Sequence, residues 1–274
     1  VLMRIEDFKA TNFRRLEKKL RKFPWELFVN PQSEVTFRVS SAHSRLFHTK
    51  AVEQCACEAL SKTSSRMRSP VENKQNIASQ TIYIRIAEDR VSMSLDASGE
   101  NLYKRGLKIP GAKAPMRETT AAAILMLLGY EGDCPLLDPM CGSGTFSLEA
   151  AMIGQGIPPG WYRCFAFFNW PCFSPGKWRH IRKETEKNFR SMARPAILAS
   201  DIDLETCRKL RDCIGKAGFQ NAVKVKDGLD FFDIVPETFA KKPGTVVLNP
   251  PYGIRMDPDG ENAGPFFDEV FRKL

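Results

Sequence analysis

At 274 residues, of which 43% are hydrophobic and 27% are charged, the chain is long enough to form one large domain or two ordinary ones with buried cores. Its 41 Lys and Arg residues against 32 Asp and Glu residues give a net charge of +9, which favours a polyanionic partner or an anionic cofactor. The longest apolar run, AAAILMLLGY, is shorter than a membrane-spanning helix requires, so the sequence predicts a soluble globular protein.

The first hundred residues predict a small α+β unit. The stretch EVTFRVSSAHSRLFHTKAVEQCACEAL has the pattern of a strand, a polar loop and a helix, and QTIYIRIAEDRVSMSLDAS has that of two strands around a turn. One group of basic residues fits an ordinary solvated helix face: Lys18, Lys19, Arg21 and Lys22. A second group flanks the ends of strands and helices, where phosphates are more easily met: Arg38, Arg45, Lys50, Arg66 and Arg68.

The chain divides near residues 96–115. The segment LYKRGLKIPGAKAPMRE, with two glycines and two prolines, predicts a loop that leads into a helix rich in Ala and Leu. Strands and helices then alternate through LLDPMCGSGT, ARPAILASDID, CRKLRDCIGKAGF and NAVKVKDG, which predicts a parallel, doubly wound α/β sheet. The expected organisation is therefore a first domain at 1–96, a linker at 97–115 and a second domain at 116–274.

The cysteine and histidine positions favour reduced thiols in the cytosol. Eight cysteines are scattered along the chain without paired C-x-x-C motifs. The three histidines are too few and too spread for a zinc site, and Cys55 and Cys57 with His48 nearby fit helix packing better than metal ligation. We expect a cytoplasmic protein without a metal site.

Acidic and glycine residues follow the first strand of the predicted sheet. In the turn from Asp138 to Thr145, Gly142 and Gly144 let backbone amides approach a ligand at a helix N-terminus, while Asp138 offers a carboxylate to a cationic amine. A carboxylate at this position argues against a phosphate group as the main ligand, because both are negatively charged. Ser147 occupies the position at which a dinucleotide-binding site has a third glycine, which argues against a nicotinamide cofactor.

Two further acids follow the next two strands. Asp201 can accept hydrogen bonds from two ribose hydroxyls, and Asp227 can accept from an adenine amine, because an ionised carboxylate offers acceptors only. Each acid alone could instead cap a helix, and the glycine turn alone could be structural. Acids at the ends of three successive strands nevertheless favour a ligand site.

The stretch TVVLNPPYG predicts a polar site after a fourth strand. Residues Thr245 to Leu248 have the pattern of a buried strand, and two prolines then fix the backbone and direct it out of the sheet. Asn249 and Tyr252 are thereby held at the carboxyl end of the strand, the edge at which open α/β sheets bind ligands.

These segments resemble a known family when they are taken in order. LLDPMCGSGTFSLEAAM, ASDID, KDG and VVLNPPYG resemble a class I S-adenosylmethionine-dependent methyltransferase that acts on an exocyclic amino group of a base. APMRETTAAAI and RLFHTKAVEQ resemble the THUMP-domain RNA methyltransferases, and within these the branch that makes N2-methylguanine in ribosomal or transfer RNA. The NPPY element is shared with adenine methyltransferases and a glutamine methyltransferase, so the THUMP-like part is what points to RNA.

The resemblance implies a Rossmann-like class I methyltransferase sheet after a smaller α+β THUMP-like RNA-binding domain, with S-adenosylmethionine as cofactor. It implies cofactor contacts by residues of the three strand ends: Asp138, Gly142, Gly144 and Thr145 around the methionine moiety, Asp201 on the ribose and Asp227 on the adenine. Asn249 and the Pro250 carbonyl would accept hydrogen bonds from the target amine, and Tyr252 would stack on the extruded base.

Two alternatives stay open: an N6-adenine methyltransferase on nucleic acid, and a non-catalytic RNA-binding module. The presence of Asp138, Asp201, Asp227 and Asn249 together speaks against the second. The chain starts without a methionine and ends in the pattern of an amphipathic helix, so we expect a fragment with a clipped THUMP front and an incomplete sheet after the NPPY strand.

Overall fold

The computed structural model describes residues 1–31, 33–64, 79–107, 116–192, 196–235, 242–250 and 263–273. They form two units: Val1–Leu102 with Cys164–Arg179, and Tyr103–Arg163 with His180–Leu274. The first unit therefore extends beyond the predicted end at residue 96, and it includes a segment that the sequence pattern assigns to the second domain.

The first unit is built on a four-stranded sheet with the order β1-β4-β3-β2, in which β2 and β3 are parallel and the other pairs are antiparallel. Its elements are β1 Leu2–Lys9, α1 Phe13–Lys22, β2 Val35–Ala42, α2 Thr49–Ser64, β3 Gln80–Ala87 and β4 Arg90–Asp96. Alternate residues of β3 and β4 are buried, as expected for a sheet with one covered face. The predicted α+β character is confirmed, although the sequence reasoning missed β1.

The segment 164–179 joins the first unit through aromatic packing and hydrogen bonds. The indole N–H of Trp170 donates to Gln80 Oε1 at 2.7 Å, and the backbone N–H of Cys172 donates to the Leu27 carbonyl at 2.9 Å. Trp170 is buried in the core of this unit. The aromatic run therefore completes a core that lies far from it in sequence.

The second unit contains a parallel sheet with the order β7-β6-β5-β8. Its strands are β5 Leu136–Asp138, β6 Ile197–Asp201, β7 Val223–Asp227 and β8 Thr245–Val246. The other α-helices among the described residues are α3 Glu118–Leu127, α4 Thr145–Gln155, α5 Pro175–Glu186, α6 Leu204–Ala217 and α7 Ala263–Lys273; α5 contributes residues to both units. The predicted parallel α/β sheet is confirmed.

The fourth strand is shorter and more exposed than the sequence pattern predicts. It comprises Thr245–Val246 instead of 245–248, and Val246 is 41% exposed. Its partner β5 lies between Pro135 and Pro139, and proline cannot donate a ladder hydrogen bond. The pairing therefore stops early, with the N–H of Val247 donating to the Leu137 carbonyl at 2.9 Å as its last contact.

In the part of the chain that the structure describes, no helix combines the length and the apolar character needed to cross a membrane.

Candidate active site

The predicted site residues of the second unit lie along one edge of its sheet. Because the four strands are parallel, their carboxyl ends share that edge, and three of the strands end at or near an acid: Asp138, Asp201 and Asp227. Asp201 and Asp227 are paired in register on neighbouring strands. Asn249 and Pro250 follow β8 at the same edge, whereas Tyr252 lies outside the described residues.

Asp138 is buried, and among the described residues only one of its two carboxylate oxygens has a hydrogen-bond partner. Oδ2 accepts hydrogen bonds from the hydroxyl of Ser147 at 2.6 Å and from its backbone N–H at 3.2 Å. Oδ1 is buried and has no hydrogen-bond partner in the described part of the chain. A buried acceptor of this kind is costly unless a donor reaches it. Among the described residues, Oδ1 is therefore left for a donor from outside them, such as a ligand.

The ionisation of Asp138 is set mainly by burial. Burial raises the pKa of this carboxyl from 3.8 to about 7; the hydrogen bonds from Ser147 oppose the shift and the charge of Asp201 adds to it. A cationic group next to Oδ1 favours the ionised form. The predicted contact of Asp138 with a cationic amine stays a prediction.

The two glycines of the turn serve different purposes. Gly142 has φ +50°, and a Cβ added there would meet no described residue within 4 Å. Gly144 has φ +73°, and its Cβ would lie 2.2 Å from Cδ1 of Leu210, a buried residue of α6. The sequence interpretation gives both glycines to ligand approach. The structure leaves open space at Gly142, whereas the bare face of Gly144 is required for helix packing, and Thr145 beside it is buried.

Asp201 orders the glycine turn. Its Oδ2 accepts from the backbone N–H of Gly142 at 2.8 Å, and its Oδ1 accepts from the N–H of Asp203 at 3.0 Å. The capping of α6 is performed by Asp203, which accepts from the N–H of Glu205 and from the Thr206 hydroxyl. Asp201 is therefore not the helix cap. Each of its oxygens keeps a second lone pair for a ligand hydroxyl.

Asp227 is the most exposed of the three acids and forms an ion pair. Its Oδ2 lies 2.6 Å from Nη1 of Arg211, whose Nη2 also donates to the Val225 carbonyl at 3.2 Å. The pair raises the pKa of Arg211. Arg211 fixes the carboxylate at the end of β7, so a ligand amine would meet an acid with one oxygen already engaged.

The helix behind the glycine turn is fixed by a buried ion pair. Arg105 Nε lies 2.9 Å from Glu149 Oε1, and Arg105 Nη2 lies 3.2 Å from Oε2, which is a bidentate contact. Glu149 is on α4, and both side chains are buried. Loss of one partner would leave a buried charge, so this contact resists displacement of α4.

Three residues support the site through contacts that the sequence analysis did not predict: Ser147, Leu210 and Arg211. Ser147 lies one turn into α4, close enough in sequence to Asp138 that the contact could be anticipated from a strand-turn-helix unit. Leu210 and Arg211 lie on α6, and their contacts with Gly144 and Asp227 depend on tertiary packing that no local pattern reports.

Among the residues that the structure describes, no cluster of three His, Cys, Asp or Glu side chains is arranged to hold a metal ion. A cavity of about 300 Å³ lies apart from the three acids at the strand ends. It is next to residues that precede β5 and β6, and its lining includes Asp133, Gly154 and Arg190. It does not belong to the carboxyl edge.

Comparison with known proteins identifies the family. Residues 105–274 match the RMKL-like methyltransferase domain. The chain belongs to this family. It is 30% identical over 260 residues to YpsC of Bacillus subtilis, a candidate RNA methyltransferase, and 29% identical over 285 residues to the ribosomal RNA large subunit methyltransferase K/L of Methylococcus capsulatus. The matches cover 93% and 100% of this chain, which spans 66% of YpsC and 38% of the K/L enzyme.

Solved structures are similar along almost the whole chain. A protein from Listeria monocytogenes, described as a predicted N6-adenine-specific DNA methylase, superposes with a TM-score of 0.74 at 29% identity, covering 99% of this chain and 70% of that one. SMU.472, a candidate methyltransferase in complex with S-adenosylhomocysteine, superposes with a TM-score of 0.67 at 29% identity, covering 93% and 67%.

These comparisons confirm the predicted class I methyltransferase fold and S-adenosylmethionine as the cofactor of the RMKL-like domain. The residues described in the structure fit that cofactor: none of them donates to the buried Oδ1 of Asp138, and none lies within 4 Å of a Cβ placed on Gly142. The THUMP-like character of the first unit and the roles of the individual site residues stay predictions.

Proposed function

We propose that this RMKL-like methyltransferase transfers a methyl group from S-adenosylmethionine to the exocyclic N2 amine of a guanine in ribosomal or transfer RNA. The RNA substrate is supported by the similarity to YpsC and to the ribosomal RNA methyltransferase K/L. The amine acceptor is supported by Asn249 and Pro250 at the sheet edge that holds Asp138 and Asp201. The choice of guanine rests on the resemblance of the sequence.

The position of Asn249 carries the proposal. The backbone after β8 is anchored by the hydrogen bond from Val247 to the Leu137 carbonyl, one residue before Asp138 on the neighbouring strand. Pro250 then restricts the backbone, so Asn249 is held half-buried beside the end of β5. An amide oxygen and a proline carbonyl offer two acceptors to the two N–H groups of an exocyclic amine.

The cofactor supplies an electrophilic methyl group on a sulfonium, and the protein supplies orientation. Acceptors at Asn249 and Pro250 align the amine nitrogen, and Asp138 and Asp201 hold the other groups that a nucleoside-containing cofactor presents. Positioning of reactants accounts for a large part of the rate in such reactions. The base must leave its stack to reach this edge, at a cost of a few kcal/mol. We propose that Tyr252 offsets part of this cost by stacking, which is worth about 1–3 kcal/mol per base.

A second candidate is methylation of adenine N6. It is favoured by the similarity to the Listeria monocytogenes protein described as a predicted N6-adenine-specific DNA methylase. Both amines are exocyclic and planar, so Asn249 and Pro250 would serve either one equally well. The acceptor geometry alone does not separate the two bases.

Mass spectrometry of nucleosides from a strain that lacks the gene tests the proposal. Loss of N2-methylguanosine from ribosomal or transfer RNA, restored by the wild-type gene and not by Asn249→Ala, is expected. Loss of N6-methyladenosine instead would favour the second candidate. Unchanged levels of both, with RNA binding intact, would favour a non-catalytic RNA-binding protein.

A further inference from the structure

One edge of the sheet in the first unit carries exposed aromatic and basic residues from three separate connections. The strand register places the ends of β1, β2 and β3 and the start of β4 at the same edge: Lys9 pairs with Arg90, Ala87 with Arg90, and Ala42 with Ala87. The connections β1–α1, β2–α2 and β3–β4 therefore meet there. We call residues 9–15, 43–50 and 88–90 the connection edge.

The connection edge presents aromatic rings to solvent. Phe47 is 65% exposed and Phe13 is 40% exposed. The ring of Phe47 lies against the imidazole of His48, with centroids 4.1 Å apart and planes 39° apart. The adjacent rings of Phe47 and His48 therefore offer an exposed flat face on which another ring could stack.

The loop that carries Phe47 is anchored by the residues that precede Phe47. Leu46 is buried in the core of the first unit. Asp89 Oδ1 accepts from the backbone N–H of Arg45 at 2.8 Å, and the N–H of Asp89 donates to the Ser44 hydroxyl oxygen at 3.0 Å. Ser44 in turn donates to the Ala42 carbonyl at 2.8 Å. The backbone that leads into Phe47 is therefore ordered by contacts within the first unit.

The same contacts explain an unusual turn. Glu88 and Asp89 connect β3 and β4 with φ values of +52° and +60°, a geometry that hairpins usually give to Asn and Gly. Among the described residues, the other non-glycine position with positive φ is His43, on the same edge. Glycine at position 89 would relieve the backbone strain of a positive φ, but it has no carboxylate to accept from the N–H of Arg45. Asp89 therefore keeps this hydrogen bond at the cost of the strain.

The charge of the connection edge is complementary to a polyanion. Its exposed basic residues come from all three connections: Lys9, Arg14, Arg15, Arg45, Lys50 and Arg90. The acids there are Glu88, which is exposed, and Asp89, which is only 18% exposed and pairs with Arg45. Glu53 follows within the first turn and a half of α2. The basic groups remain in excess.

We infer that the connection edge binds an unpaired stretch of the substrate RNA, with a base stacked on the Phe47–His48 pair and the phosphates met by the surrounding basic groups. This inference rests on the proposed RNA substrate. An unpaired base exposes both faces, whereas a base inside a duplex has its faces covered by neighbours. Exposed aromatics bordered by Lys and Arg are the features that single-strand binding requires.

The test compares single-stranded with duplex RNA on the full chain. Fluorescence anisotropy would measure Kd for a labelled RNA of about 12 nucleotides, within the range covered by one small domain, alone and annealed to its complement at fixed salt. Phe47→Ala should weaken single-strand binding about 5- to 150-fold, the equivalent of one lost stack. Duplex affinity should change by less than about twofold, since a duplex offers no face to the ring.

Three controls separate stacking from other effects. Phe47→Trp should retain single-strand affinity, because it keeps an aromatic face. Phe271→Ala removes an equally exposed ring, 72% exposed, from α7 of the second unit and should change neither affinity. Lys50→Gln should weaken both RNAs alike and reduce the salt dependence by about one phosphate contact.

The outcomes distinguish this inference from the proposed function. Single-strand binding by Phe47→Ala within about twofold of wild type, or equal weakening of both RNAs, would overturn the stacking role and leave the RNA substrate standing. Failure of the wild-type chain to bind either RNA would contradict both. A 2-aminopurine in the single strand adds a direct readout: its fluorescence should fall on binding to wild type and should not fall with Phe47→Ala.

Discussion

Replacing Gly142 or Gly144 of the glycine turn by alanine should have different consequences, because the surroundings of the two glycines differ. Both positions have positive φ, which costs an L-residue about 1–2 kcal/mol. At Gly144 the new Cβ would also lie 2.2 Å from Leu210 Cδ1, and overpacking of this kind typically costs a further 1–3 kcal/mol or so. Gly144→Ala should therefore destabilise the fold by about 2–5 kcal/mol, against about 1–2 for Gly142→Ala.

Urea unfolding and calorimetry with S-adenosylhomocysteine separate the two roles. Gly142→Ala should keep most of its stability, because the added Cβ contacts no described residue. It should lose cofactor affinity, because that Cβ would occupy space that the cofactor is proposed to fill. Gly144→Ala should lose stability first. A double-mutant cycle with Leu210→Ala should show a coupling of at least about 1 kcal/mol, since the two residues are in contact. Equal destabilisation by the two alanines, or no coupling to Leu210, would refute the packing argument.

Three further perturbations test the other site residues. Asn249→Ala should raise the barrier to transfer by about 2.7–4 kcal/mol, by analogy with loss of one oxyanion-hole donor, while cofactor affinity measured on the same protein stays nearly intact; joint loss of stability and affinity would instead mean a structural role. Folded Asp138 has its pKa raised from 3.8 to about 7, so the folded chain holds a proton that the unfolded chain releases, and its stability should fall as pH rises between these values. Asp138→Asn should abolish that dependence in urea titrations, and wild-type affinity for the amine-bearing S-adenosylhomocysteine should rise through pH 7. Arg211→Met should change the unfolding free energy by at most about 1 kcal/mol, since its pair with Asp227 is partly exposed, and a larger loss in denaturant unfolding would contradict this estimate.

The parallel sheet and its site edge could be predicted because each strand carries its own local signals. Apolar runs end at an acid or at Asn-Pro, and helical patterns follow after short turns. The parallel arrangement then places all the strand ends together, which brings Asp138, Asp201 and Asp227 to one edge without any knowledge of contacts. Local pattern and connection rules were sufficient for this part.

Other features depend on distant partners and could not be found this way. The aromatic segment 164–179 lies between elements of the second unit in sequence, yet Trp170 contacts Gln80 in the first. The length of β8 is limited by the prolines that flank β5, more than one hundred residues earlier. Strand β1 has irregular burial with a register shift between Arg4 and Glu6, which obscures the alternation expected of a strand.

The three strand-end acids show why position alone does not assign a role. All three follow a strand in the sequence, but burial falls from Asp138, which is 1% exposed, through the half-buried Asp201 to the exposed Asp227. Asp203 takes the capping of α6 and so releases Asp201, while Arg211 engages Asp227. A buried ionised carboxylate is costly unless a cation pairs with it. A carboxylate that binds neutral hydroxyls or a neutral amine stays charged, so it is better placed where solvent reaches it. We therefore propose the cationic end of the cofactor at Asp138 and its neutral nucleoside at the more exposed acids, an assignment that the variants above test.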